Sequence, residues 1–115
     1  MIRKSENTKI EMRENMRGGD GTVIINSFVS SEELNGNGRL FGKITLKSGC
    51  GIGFHMHENE SELFYILRGT AMYDDNGTVG KVSAGDVTIT PPGTGHSIKN
   101  ESGEDVELIA LIING

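Results

Sequence analysis

Three histidines, His55, His57 and His96, are the only ones in the chain, and their spacing could do chemistry. Successive side chains on a strand point to opposite faces, so His55 and His57 share a face and can converge on one ion. Glu62 would fall on the other face if that strand ran straight. The polar stretch Glu58-Asn59-Glu60-Ser61 reads instead as a turn of solvated residues, which starts a new strand with Glu62 at its head. His96 opens a later strand just after Pro91-Pro92-Gly93 and can sit at the same barrel mouth. Three neutral imidazoles and one carboxylate suit a divalent first-row ion. Imidazole favours Fe, Ni, Cu or Zn, and the hard carboxylate also admits Mn. Four such ligands on an octahedral ion leave two positions for water, O₂ or a chelating substrate. A His-x-His pair alone is a common surface feature, so its weight depends on the elements that hold it.

Those elements read as short strands between turn signals. Ile10 and Met12 alternate with Lys9, Glu11 and Arg13 in the manner of an edge strand, which Arg17-Gly18-Gly19-Asp20-Gly21 breaks. A β-branched run from Thr22 to Val29 precedes a single helical turn at Ser30–Leu34. Strand alternation returns from Arg39 to Leu46, with Leu40, Gly42, Ile44 and Leu46 facing inward. Further strands are expected at Gly53–His57, Glu62–Tyr73, Thr78–Val82, Val87–Thr90, His96–Lys99 and Val106–Ile113. Asn76-Gly77 is a hairpin signal, because a type I′ turn needs two residues tolerant of positive φ. Eight or more short strands without a long helix predict an all-β sandwich or barrel.

Composition agrees and narrows the function. The 115 residues make one domain, with 17 glycines against two prolines, which implies many tight turns. A net charge of −5 without clustered Lys and Arg argues against nucleic acid and anionic membranes as partners. There is no apolar run long enough to span a bilayer and no apolar signal-peptide core at Met1–Lys4, so a cytoplasmic location is expected. The single cysteine, Cys50, cannot close an internal disulfide.

Two spaced sets of residues resemble a known family. Gly49, His55, His57, Glu62 and Gly69 reproduce the first cupin motif, and Gly85, Pro91, Gly93, His96 and Asn100 reproduce the second. The resemblance implies an all-β, double-stranded β-helix (jelly-roll) barrel over residues 1–115. Residues 1–20 would form an N-terminal edge strand or dimerisation arm. It further implies that His55, His57, Glu62 and His96 ligate a divalent transition metal, with Fe or Mn favoured and Ni, Zn or Cu admitted. The motif glycines, Pro91 and Asn100 would shape turns.

The reaction is less determined, because one fold hosts many activities. The first expectation is a metal-dependent, oxygenase-type enzyme acting on a small apolar or metal-chelating substrate. The alternatives are a binding protein without turnover, and a decarboxylase or isomerase of a small acid. Inward positions Leu40, Ile44, Leu46, Phe64 and Ile66 predict an apolar pocket with few polar groups, and Arg68 reads as a rim residue. The similar oxalate decarboxylases carry an arginine three residues before the first ligand histidine, where this chain has Ile52. The methionines read as core filler. The last strand is apolar on both faces, which implies a covered outer face and a homodimer.

Overall fold

The computed structural model describes residues 1–115, in ten strands and three short 3₁₀ turns. The strands are β1 (Lys9–Glu14), β2 (Thr22–Ser27), β3 (Gly38–Leu46), β4 (Gly51–His57), β5 (Glu60–Arg68), β6 (Thr70–Asp75), β7 (Thr78–Ser83), β8 (Val87–Thr90), β9 (Thr94–Lys99) and β10 (Val106–Asn114). They form a six-stranded sheet, in the order β1-β2-β3-β10-β5-β8, packed on a four-stranded sheet, β4-β9-β6-β7. Every pairing is antiparallel. This is the all-β sandwich expected from the strand pattern and the jelly-roll implied by the cupin resemblance. No helix is long and apolar enough to cross a membrane.

Period-two alternation builds the core between the sheets. On β3 the buried set is Gly42, Ile44 and Leu46, on β5 Glu62, Phe64 and Ile66, and on β10 Val106, Leu108, Ala110 and Ile112. Ile44, Leu46, Phe64, Ile66, Val106, Leu108 and Ala110 form one continuous cluster with Val23, Ile25, Ile52, Ala71, Tyr73 and Ile98. Each large member is worth roughly 1.5–3 kcal/mol when taken from water. Of the methionines only Met16 packs against this cluster, whereas Met1, Met12 and Met56 are exposed, so the reading of methionine as core filler is corrected.

Two local features were not visible as alternation. The run Glu62–Tyr73 is not one strand, because the chain leaves one sheet at Arg68 and enters the other at Thr70. Gly69 makes the crossing at φ +86°, and a Cβ there would lie 2.5 Å from the carbonyl oxygen of Asp105. On β4 the pairing with β9 slips by one residue between Ile52 and His55. Ile52 stands opposite Ile98 and His55 opposite His96, so three steps on β4 match two on β9. This bulge turns both Ile52 and His55 toward the interior, as bulges near sites often re-aim a side chain. The Asn76-Gly77 hairpin forms as expected, with φ of 51° and 104° joining β6 to β7.

Candidate metal centre

The topology brings the four spaced residues together at one end of the barrel. His55 and His57 project from β4, His96 from the paired strand β9, and Glu62 reaches across from β5 of the opposite sheet. Their donor atoms lie within 4.8 Å of one another, and His57, Glu62 and His96 are buried. Nε2 of His57 is 3.1 Å from Nε2 of both His55 and His96. Oε1 of Glu62 is 3.0 Å from Nε2 of His57 and 2.9 Å from Nε2 of His96. Neighbouring donors about 3.0 Å apart are what metal–ligand bonds of about 2.1 Å at right angles produce, whereas tetrahedral ligation spreads them to about 3.4 Å. The four residues could therefore hold a divalent ion, with the four adjacent distances close to those of ligands at right angles.

The outward nitrogens support the same fit. Nδ1 of His55 donates to the carbonyl of Gly53 at 2.8 Å, and Nδ1 of His57 to Oε1 of Glu60 at 2.9 Å. Nδ1 of His96 lies 2.7 Å from the Tyr73 hydroxyl and 3.0 Å from that of Thr90, with 2.9 Å between the two hydroxyls. With Nδ1–H of His55 and His57 turned outward, and that of His96 also when the Tyr73 and Thr90 hydroxyls accept, three Nε2 lone pairs and a carboxylate face one another. Such a cluster of acceptors is stable only around a cation, either shared protons or a metal. Burial pushes His55 below its ordinary value despite its bond to Gly53, which favours the neutral ligand form. Burial pushes the Glu62 carboxyl up, but the bonds to His57 and His96 outweigh it and hold the group low. The bond to Glu62 raises His57.

Glu60 is not a solvated turn carboxylate. It begins β5, is 17% exposed, and receives a two-pronged bond from Arg39, Nε to Oε2 at 2.9 Å and Nη2 to Oε1 at 2.8 Å. Arg39, helped by His57, draws the Glu60 carboxyl down to about 2. The resulting chain Arg39–Glu60–His57 orients the His57 imidazole from behind. Asn100 shapes a turn as expected. It is fully buried, its Nδ2 donates to the carbonyls of Leu46 and Glu104, and its Oδ1 accepts from the backbone and hydroxyl of Ser102.

A cavity of about 200 Å³ opens from His55, His57 and Glu62. Its walls include the expected Leu40 and Ile44 together with Ile25, Ile52 and Ile112, whereas Leu46, Phe64 and Ile66 are buried in the core instead; the walls also include Glu11, Arg13, Arg17 and Arg39. The expectation of an apolar pocket with few polar groups is thus corrected: the charged residues come from the N-terminal segment and the start of β3. Sequence alternation missed them because Glu11 and Arg13 read as the polar side of an edge strand, Arg17 enters through the docked loop and Arg39 from the start of β3. Arg68, expected at the rim, does not line the cavity: it ends β5 at the end away from Glu62, half exposed and 3.4 Å from Glu107. A separate groove of about 500 Å³ beside Arg3, Phe28 and Glu33 contains none of the four candidate ligands.

A jelly-roll barrel holding three histidines and a glutamate at one mouth defines a class, and comparison with known proteins places the chain within it. Residues 42–112 match the family described as Cupin domain, and the chain belongs to that family. It is 42% identical over 113 residues to a Thermotoga maritima protein named oxalate-binding protein, covering 98% of this chain and 93% of that one. It is similar in structure to a Thermotoga maritima protein described as a predicted oxalate decarboxylase, with TM-score 0.94, 39% identity and full coverage of both chains. A Zymomonas mobilis protein named putative quercetin 2,3-dioxygenase is 31% identical over 78 residues, which cover 65% of this chain and 33% of that one.

Proposed function

We propose that this cupin binds a divalent transition metal through His55, His57, Glu62 and His96 and uses it to capture a small chelating carboxylate of the oxalate class. The observation that carries the reading is the convergence of three Nε2 atoms and one carboxylate oxygen, each imidazole anchored from outside. Three imidazoles and a hard carboxylate favour Fe or Mn, with Ni, Zn and Cu also compatible. When bound, the ion supplies a Lewis-acid site for the ligand's oxygens. The protein's own part is to fix the imidazoles, keep the floor of the cavity apolar and exclude bulk water.

Size and charge support a small anion. The cavity of about 200 Å³ is enough for a molecule the size of oxalate. The relative named for oxalate binding supports the same class. Binding without turnover is favoured over isomerisation by proton abstraction because the cavity offers no free general base. Glu11 is engaged by Arg13, Glu60 by Arg39, and all three histidines belong to the donor set. The test is isothermal titration of metal-loaded protein with oxalate. Saturable binding that disappears on chelation is expected, and no heat with any of Fe, Mn, Ni or Zn contradicts the reading.

An oxygenase-type enzyme is the second reading, favoured by the ligand set and by the likeness to the named dioxygenase. Oxygen uptake by the Fe-loaded protein with small chelating acids distinguishes it from binding alone. We further propose that a second copy of the chain covers the outer face of the six-stranded sheet. There Phe41, Tyr65, Leu67, Val87 and Ile89 are between 38% and 60% exposed and contiguous through the pairings of β3, β10, β5 and β8.

A further inference from the structure

Three arginines reach the metal cavity, and their surroundings differ. Arg39 is held two-pronged by Glu60, and Arg13 lies 3.3 Å from Glu11. Arg17 alone has no carboxylate within ion-pair distance, although its charge is felt at His55. Its backbone is in the left-handed region at φ +55°, an uncommon conformation for a residue with a long side chain.

The loop that imposes this conformation is fastened at both ends. The Asn15 N–H donates to the Gly21 carbonyl at 2.8 Å, and the Gly51 N–H on β4 donates to the Asp20 carbonyl at 2.9 Å. Lys99 pairs with Asp20 at 2.8 Å. Backbone lies directly on backbone: a Cβ on Gly53 would meet the Arg17 carbonyl oxygen at 2.1 Å, and one on Gly19 would meet the Gly51 carbonyl oxygen at 2.4 Å. Glycines at 19 and 53 thus let the loop sit against the strand that carries His55 and His57.

We propose that Arg17 is the anion-recognition residue of the cavity, its unpaired guanidinium taking the carboxylate oxygens of a small dicarboxylate held at the metal centre. This rests on the carboxylate-binding reading above. A guanidinium presents paired N–H donors that match a carboxylate, and an arginine without an internal partner can give them to a ligand without breaking an ion pair. Position 52, on the cavity floor, is then free to be apolar.

The experiment compares metal-loaded wild type, Arg17→Gln and Arg17→Asn by titration with oxalate and, separately, with imidazole, a neutral metal ligand. Both variants are expected to keep the wild-type metal content and imidazole affinity while oxalate binding weakens roughly 10- to 100-fold, the loss of charge-assisted hydrogen bonds. Arg17→Asn, a residue tolerant of positive φ, is expected to melt no lower than wild type. Variants that bind oxalate as tightly as wild type overturn the role of Arg17 and leave the carboxylate reading standing. Parallel loss of metal or of imidazole binding, or a lower melting point for Arg17→Asn, shows a structural role and overturns it as well. A wild type that binds imidazole but no oxalate removes the carboxylate reading and this inference together.

Discussion

At the metal centre, the nitrogen that faces outward decides the state of the one that faces inward. Glu60 anchors Nδ1 of His57 and is itself gripped by Arg39, so Glu60→Gln is expected to weaken metal binding by about 10- to 100-fold without changing the fold, measured by chelator competition. The Glu60 carboxyl also carries a pH signature. Its folded-state value of about 2 lies below the ordinary 4.5, so the pairing contributes stability that is present above pH 4.5 and is lost as pH falls through about 2. A carboxyl NMR titration of Glu60 with a midpoint near 4.5 would contradict that geometry. The convergence of the four candidate ligands was legible because motif spacing specifies their positions. Glu60 was not, because a carboxylate in a polar run looks solvated until Arg39 is brought beside it from a strand 21 residues away.

Among the elements, alternation told most of the strands, and glycine explains where it failed. A one-residue bulge re-aims His55 and a glycine crossing divides β5 from β6. Both occur inside sequence that reads as continuous strand. The segment Arg17–Gly21 reads as a mere breaker because its partner, the backbone of Gly51 and Gly53, lies more than thirty residues on. Gly53→Ala tests this docking. The added methyl must displace the Arg17 carbonyl, with an expected cost of roughly 1–3 kcal/mol, seen as a lower melting temperature. An unchanged melting temperature means the loop is not held there.

For the whole molecule, the two sheets serve different ends. The inner faces make the core and the site, whereas the outer face of the six-stranded sheet is apolar where a lone domain would carry charge. Light scattering on the eluting protein is expected to give twice the chain mass, and Ile89→Lys, which places a charge in that face, is expected to shift it to the monomer. A wild-type monomer at micromolar concentration contradicts the pairing. The central claim, that the barrel closes around a metal ion, is tested most directly by elemental analysis of tag-free protein reconstituted with Fe(II) or Mn(II), with His57→Ala in parallel. The account predicts about one equivalent per chain in the wild type and a marked loss in the variant. Less than about a tenth of an equivalent in the reconstituted wild type, or full occupancy in His57→Ala, would contradict it.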